Sequence, residues 1–380
     1  MHGRPEQQKP VTMDMVTPNP DHHRRTRLRP GQYLTLPTAD VPSESGDQAI
    51  NTARHDTAAL DGLRAISICL VLAAHLFPLG PKSLQLNSTA GPMGMSLFFA
   101  LSGYLIIRTL RAASVLEFVV KRISRILPLA YLYLALVFLA FGLSRQAMLY
   151  HLGFILNYRT DQMIPVTEHL WSLCVEVHFY IFVTALAGFA GRKSLIVVWP
   201  CCVAITAIRI LQNAPIEIAT HLRIDEILIG ACVATLPLRR LGASTSLFAW
   251  SIAAALWAAS SHPESNSLQY FRPYATGLLL WATLSQPPNK LIVLLSSKPL
   301  SYVATISYAL YIFHPLTAHG WWADGSISQR YLLKRPIGLA IALLAAHLST
   351  FYWERLWIQA ARRHLNSRRA PKRSADSVRV

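Results

Sequence analysis

The sequence predicts an all-α, polytopic integral membrane protein of about ten transmembrane helices, with both termini cytoplasmic. Hydrophobic residues make up 52% of the 380 positions and charged residues only 14%. The charge gathers in two tails and a few short loops, and apolar runs of membrane-crossing length recur from residue 63 onward. Residues 1–58 are polar and rich in Pro and Arg without a sustained apolar period, and read as a disordered cytoplasmic extension. Residues 59–356 form the membrane domain, and 357–380 a basic cytoplasmic tail. No cleavable signal peptide is expected, because nearly sixty polar residues precede the first apolar run.

Taken in order, the spans are expected at about 63–79, 91–108, 126–143, 171–190, 194–211, 224–238, 246–260, 272–286, 302–318 and 333–351. The apolar stretch 147–157 is short for a crossing and is expected to be interfacial or re-entrant. Basic residues fix the orientation. With the N-terminus inside and ten crossings, Arg108, Arg111, Lys121, Arg122 and Arg125, then Arg192 and Lys193, then Arg239 and Arg240, then Lys290 and Lys298 all fall on the cytoplasmic side. An eleventh crossing would put the Arg192 turn, the Arg239 loop and the C-terminal tail outside.

Positive charge is therefore mostly topological. The formal net charge of +17 and the cluster Arg24, Arg25, Arg27 and Arg29 do not argue for nucleic acid, since most other basic residues flank apolar segments. The five cysteines, Cys69, Cys174, Cys201, Cys202 and Cys232, lie in apolar runs without metal-ligand spacing, so neither a metal nor a disulfide is expected.

Ionisable side chains inside membrane-length segments demand a reason, because a charged group in hydrocarbon costs on the order of 3 kcal/mol or more. Arg64 and His75 lie eleven residues apart in the first span. At about 100° per residue they share one helix face, separated by roughly 16 Å along the axis. In this topology His75, Glu176, Asp225 and His314 all fall near the outer face. His169, Ser172, Glu176 and Tyr180 form one stripe at three- and four-residue intervals, and Ser307, Tyr311 and His314 form another. His169 and His178 themselves read as structural or interfacial. Ser102, midway down the second span, is placed to line a path between the faces, and Gly103 to allow close helix approach; plain packing explains both equally well.

Six stretches carry a family resemblance: LDGLRAISICLVLAAHL (60–76), GMSLFFALSGYLI (94–106), KRISRILP (121–128), HLWSLCVEVHFY (169–180), HLRIDEILIG (221–230) and ISYALYIFHP (306–315). Together, in order, they resemble the integral-membrane acyltransferase family 3, the O-acetylase type that modifies bacterial polysaccharides and other glycans. The resemblance implies an acyl-CoA donor, most simply acetyl-CoA, used as substrate on the cytoplasmic side of the bacterial inner membrane. It implies a glycan hydroxyl as acceptor and no permanently bound cofactor. It maps the family's Arg-x10-His pair onto Arg64 and His75, and its Arg-x-x-Arg element onto Arg122 and Arg125. The chain departs from the pattern at Val177 and His178, where Glu-Gln is usual, and at Glu354-Arg355-Leu356, where Glu-Arg-Pro is usual.

Moving an acyl unit from a thioester to an alcohol needs a base for the hydroxyl proton and donors for the developing oxyanion. His75 suits the base, or a transient acyl acceptor, and Glu176 is the candidate carboxylate to orient it, with Asp225 second. Arg64, Arg122 and Arg125 suit CoA phosphates. Ser102, Ser172, Tyr180, Arg223, Asp225, Tyr311 and His314 remain as cavity or acceptor-site candidates. A transporter is the rival reading, since intramembrane Arg, His and Glu also mark solute pathways, but no internal repeat supports it. Oligomeric state is not legible in the sequence.

Overall fold

The computed structural model describes residues 44–376, with side chains described over 57–368, and every regular element among them is helical. Fourteen α-helices follow in order: α1 Glu44–Leu76, α2 Leu86–Ala112, α3 Val115–Phe141, α4 Arg145–Leu152, α5 Trp171–Phe189, α6 Val198–Leu211, α7 Thr220–Arg223, α8 Asp225–Val233, α9 Ala243–Ser261, α10 Arg272–Leu284, α11 Lys290–Leu295, α12 Lys298–Phe313, α13 Arg335–Leu348 and α14 Arg355–Asp376.

Each of the ten expected spans is helical over most of its length, but among the described residues seven helical runs, not ten, are long and apolar enough to cross a membrane. The three that fall short are α8, α10 and α12, of 9, 13 and 16 residues. Every residue of α8 is buried, as is most of α10. A helix enclosed by protein can have its ends satisfied by neighbouring chain rather than by reaching water on both sides, so its length is released from the bilayer thickness. The stretch at 147–157 forms only the eight-residue α4 and a short 3-10 turn.

Helices run past both ends of the expected membrane domain. Helix α1 begins at Glu44, so the end of the segment expected to be disordered is helical; between Gly46 and Gly62 no Pro or Gly interrupts it. Helix α14 likewise continues through most of the expected tail. The arginine cluster at 24–29 lies outside the described residues.

Local chemistry sets the boundaries near the site. Pro78 follows the end of α1, whose free carbonyls at Ala74 and Phe77 are met by Asn87 Nδ2 at 2.9 and 2.6 Å. Ser114 caps α3 by accepting from the Glu117 N–H, and Gly142, at φ 60°, ends it. Pro315 stops α12, so His314 becomes the first residue of the 3-10 turn His314–Thr317.

The basic loops converge on one end of the bundle. Arg192 donates to the carbonyls of Arg111 and Ala113 at 3.3 and 2.5 Å, tying the α5–α6 loop to the α2–α3 turn. Arg111 reaches the Ala234 carbonyl, and Leu241 N–H donates to the Ser285 carbonyl, which adds the α8–α9 and α10–α11 loops. The opposite end holds the end of α1, the Gln85–Glu264 contact at 2.6 Å, and Arg335, which donates to the carbonyls of Thr317 and Ala318 at 3.1 and 2.9 Å. At the centre, α2 and α8 meet through two glycines. A Cβ on Gly103 would lie 1.9 Å from the Ile227 carbonyl oxygen, and one on Gly230 1.8 Å from that of Ala100.

Candidate active site

Two clusters of polar residues lie at different levels of the interior, and three helices bridge them with the same spacing. Eleven residues separate His75 from Arg64 on α1, Tyr133 from Arg122 on α3, and His169 on the turn leading into α5 from Tyr180 within it. At 1.5 Å per residue each pair spans roughly 16 Å.

The first level, away from the basic loops, is a histidine cluster. His75 is exposed, and its Nδ1 lies 3.0 Å from Nε2 of His314, which is 1% exposed. The two rings are nearly parallel, at 5°, with centroids 5.2 Å apart. His314 Nδ1 is 2.7 Å from the Tyr311 carbonyl. Buried His169 sets its ring edge against His314, Tyr311 and Tyr133, at centroid distances of 5.5, 5.3 and 5.6 Å. The Tyr311 hydroxyl and Ser172 Oγ, 2.6 Å apart, both lie within reach of the His169 carbonyl. In the following loop, burial holds His319 below the usual imidazole range, with Glu168 opposing the shift. His319 is also close enough to act on His75 and His314.

The second level is an arginine cluster toward the basic end. The charged groups acting on Arg64 are Arg125, Asp61, Arg122 and Glu176. Arg122 donates to Thr109 Oγ1 at 3.2 Å and lies over the rings of Phe118 and Tyr180 at 5.4 and 5.7 Å. Tyr180 donates to Glu176 Oε1 at 2.5 Å. Glu354 accepts from Thr350 at 3.1 Å and faces Arg125. Among the described residues neither Arg64 nor Arg125 forms an ion pair, so guanidinium donors remain for an anion.

This arrangement corrects the expected partner of His75. Glu176 does not meet it: the charged or titratable group acting on His75 is His319, and its hydrogen-bond partner is His314. The expected depth of Glu176 assumed that α5 enters the membrane at Trp171. In the structure His169, seven residues earlier, already sits at the histidine level, so Glu176 lies about 10 Å further toward Arg64. Asp225 is also elsewhere, fully buried and 2.6 Å from Arg209 Nη1. Glu226 beside it takes Arg272 at 2.8 Å and Arg223 at 3.2 Å, and Arg223 lies 5.4 Å from the Trp171 ring centre. Ser102 is buried in α2 and makes no hydrogen bond to either level among the described residues.

Several members were not singled out as site residues from sequence. Asp61 and Tyr308 join the arginine level, and Arg209 and Arg272 complete the buried ion pairs. For the last two a signal existed, since Arg209 interrupts an apolar run and Arg272 opens another. His169 shares its stripe with Ser172 and Glu176, and the eleven-residue repeat would have placed it opposite His75. His178 is a tie between helices, bonding Thr220 Oγ1 at 2.6 Å.

The chain is similar to peptidoglycan O-acetyltransferase OatA of Listeria monocytogenes, with 23% identity over 317 residues, 67% of this chain and 48% of that protein. It is similar to O-acetyltransferase OatA of Staphylococcus aureus, with 24% identity over 306 residues, 67% of this chain and 49% of that protein. The chain spans about half the length of these relatives. No solved structure matches it. Residues 57–352, which contain both levels apart from Glu354, match the acyltransferase domain of family 3, and the chain belongs to that acyltransferase family.

Proposed function

We propose that this protein transfers an acyl group, most simply acetyl, from acyl-CoA to a hydroxyl of a cell-surface glycan, and that it does so within the bacterial inner membrane with the basic end facing the cytoplasm. The observation that carries the reading is α1 itself. It holds Arg64, without an ion-pair partner among the described residues, in the arginine level and exposed His75 at the other end, about 16 Å away. Family membership and the O-acetyltransferase names of its relatives support the choice of reaction.

Arg64, Arg122 and Arg125 hold the CoA phosphates, and the long pantetheine arm carries the thioester toward His75. His75 takes the proton of the acceptor hydroxyl as its oxygen attacks the thioester carbonyl. The C–O bond forms, the C–S bond breaks, and the departing thiolate recovers the proton. Acyl-CoA is a substrate in this scheme, and the chemistry calls for no resident metal or cofactor.

Purified protein in nanodiscs with acetyl-CoA and a glycan acceptor should release CoA in proportion to acylated product. The substitution H75A should abolish both, while R64Q should raise the KM for acyl-CoA more than it lowers kcat. Full activity in H75A, or solute flux without acyl-CoA consumption, would end this reading. Mass spectrometry of surface glycans from cells with and without the protein identifies the acyl group and acceptor.

A further inference from the structure

We infer that His314 is a positioning residue that fixes the tautomer of His75 and makes Nε2 of His75 the proton-accepting atom; this rests on the reading of His75 as the base. The inference follows from donor and acceptor bookkeeping. A backbone carbonyl can only accept, and His314 Nδ1 lies 2.7 Å from that of Tyr311, so Nδ1 carries the proton. A neutral imidazole has one such proton, which leaves a lone pair on His314 Nε2. That atom is 3.0 Å from His75 Nδ1, so His75 donates from Nδ1 and keeps its own lone pair on Nε2.

Ring geometry agrees. With planes 5° apart, a centroid separation of 5.2 Å is what an edge-to-edge bond of 3.0 Å gives once a ring radius is added on each side. The rings therefore lie almost in one plane, the direction in which imidazole lone pairs and N–H bonds point. The opposite assignment would require a doubly protonated His314 at 1% exposure, without a carboxylate partner among the described residues. The groups facing the pair are His169 on the turn before α5, Tyr311 of α12 and His319; behind them, Tyr133 of α3 meets His169, and Glu168 and Arg335 act on His319.

The outcome is a two-histidine arrangement in which a buried imidazole takes the place a carboxylate often holds behind a catalytic histidine. When His75 gains the hydroxyl proton at Nε2, its Nδ1–H bond to His314 strengthens with the new positive charge. His314 stays neutral because it is buried at 1% exposure, where a second positive ring would be left without water. The proton thus remains on His75 until the departing thiolate collects it.

Two substitutions separate this role from a structural one. H314L removes the acceptor, whereas H314Q extends an amide oxygen toward the same position. H314L should lower kcat about 100-fold or more with KM for acyl-CoA within about twofold, and H314Q should recover kcat to within about tenfold of the parent. Because an amide oxygen is a weaker acceptor than an imidazole nitrogen, the acidic limb of the kcat/KM–pH profile should move to lower pH in H314Q. Independently of activity, 15N NMR of the histidine-labelled full chain should show His75 protonated at Nδ1 and bare at Nε2. Equal losses in both variants, full activity in H314L, or a proton on His75 Nε2 would overturn the assignment. An active H75A would instead remove the function on which it rests, whereas an inactive H75A beside a fully active H314L would remove this inference alone.

Discussion

Asp225 and Glu226 show why charge can persist in so apolar an interior. Both carboxylates are fully buried, and each meets arginine from a different helix, Arg209 of α6 and Arg272 of α10. Such pairs are poor sources of stability relative to apolar packing, but removing one partner strands the other. R209M should therefore destabilise the protein by about 3 kcal/mol or more, while R209M/D225L should be less damaging than R209M alone. Thermal unfolding in detergent checks the order, and a double variant worse than the single one would show that Asp225 depends on other partners. Glu176 makes a different prediction. Because it faces Arg64 rather than His75, E176Q should change KM for acyl-CoA a few-fold and leave the pH limb assigned to His75 in place. A shift of that limb without a change in KM would return Glu176 to the histidine.

At the scale of elements, α1 acts as a ruler whose two marks must stay in register. Inserting one alanine between Ser67 and Ile68 rotates His75 by about 100° and lifts it 1.5 Å relative to Arg64. Transfer should fall to the level of H75A while binding of acyl-CoA survives; retained transfer would mean that the two residues need not share a face. The α2–α8 contact is equally unforgiving. A side chain at Gly103 meets the Ile227 carbonyl of the facing helix rather than a movable side chain, so G103V should destabilise by about 3 kcal/mol, read as a lowered unfolding temperature. These elements were legible in the sequence as apolar runs, and Gly103 was expected to allow close approach. Its partner helix was not, since nothing within α2 specifies which backbone it meets.

For the whole molecule, the collected basic loops predict sidedness. In intact vesicles, with the five native cysteines replaced, a single cysteine introduced as K193C should react with a membrane-impermeant thiol reagent from the side opposite to one introduced as W321C. Labelling from the same side would contradict the bundle's two ends. The tertiary structure also changes the meaning of span number: α8 and most of α10 are enclosed by protein, so their length is not set by the bilayer.

The sequence by itself determined that the chain is helical and membrane-adapted, that Arg64 and His75 share a face, and that Tyr311 and His314 share another, because each follows from hydropathy or from the local geometry of one helix. Tertiary structure alone decided that His314 meets His75, that Glu176 belongs with Arg64, and that Asp225 is held by Arg209. Partners on different helices depend on relative height and rotation, and those are set by loop lengths, by entry turns such as Glu168–Leu170, and by close contacts such as Gly103 against Ile227. No local period records them.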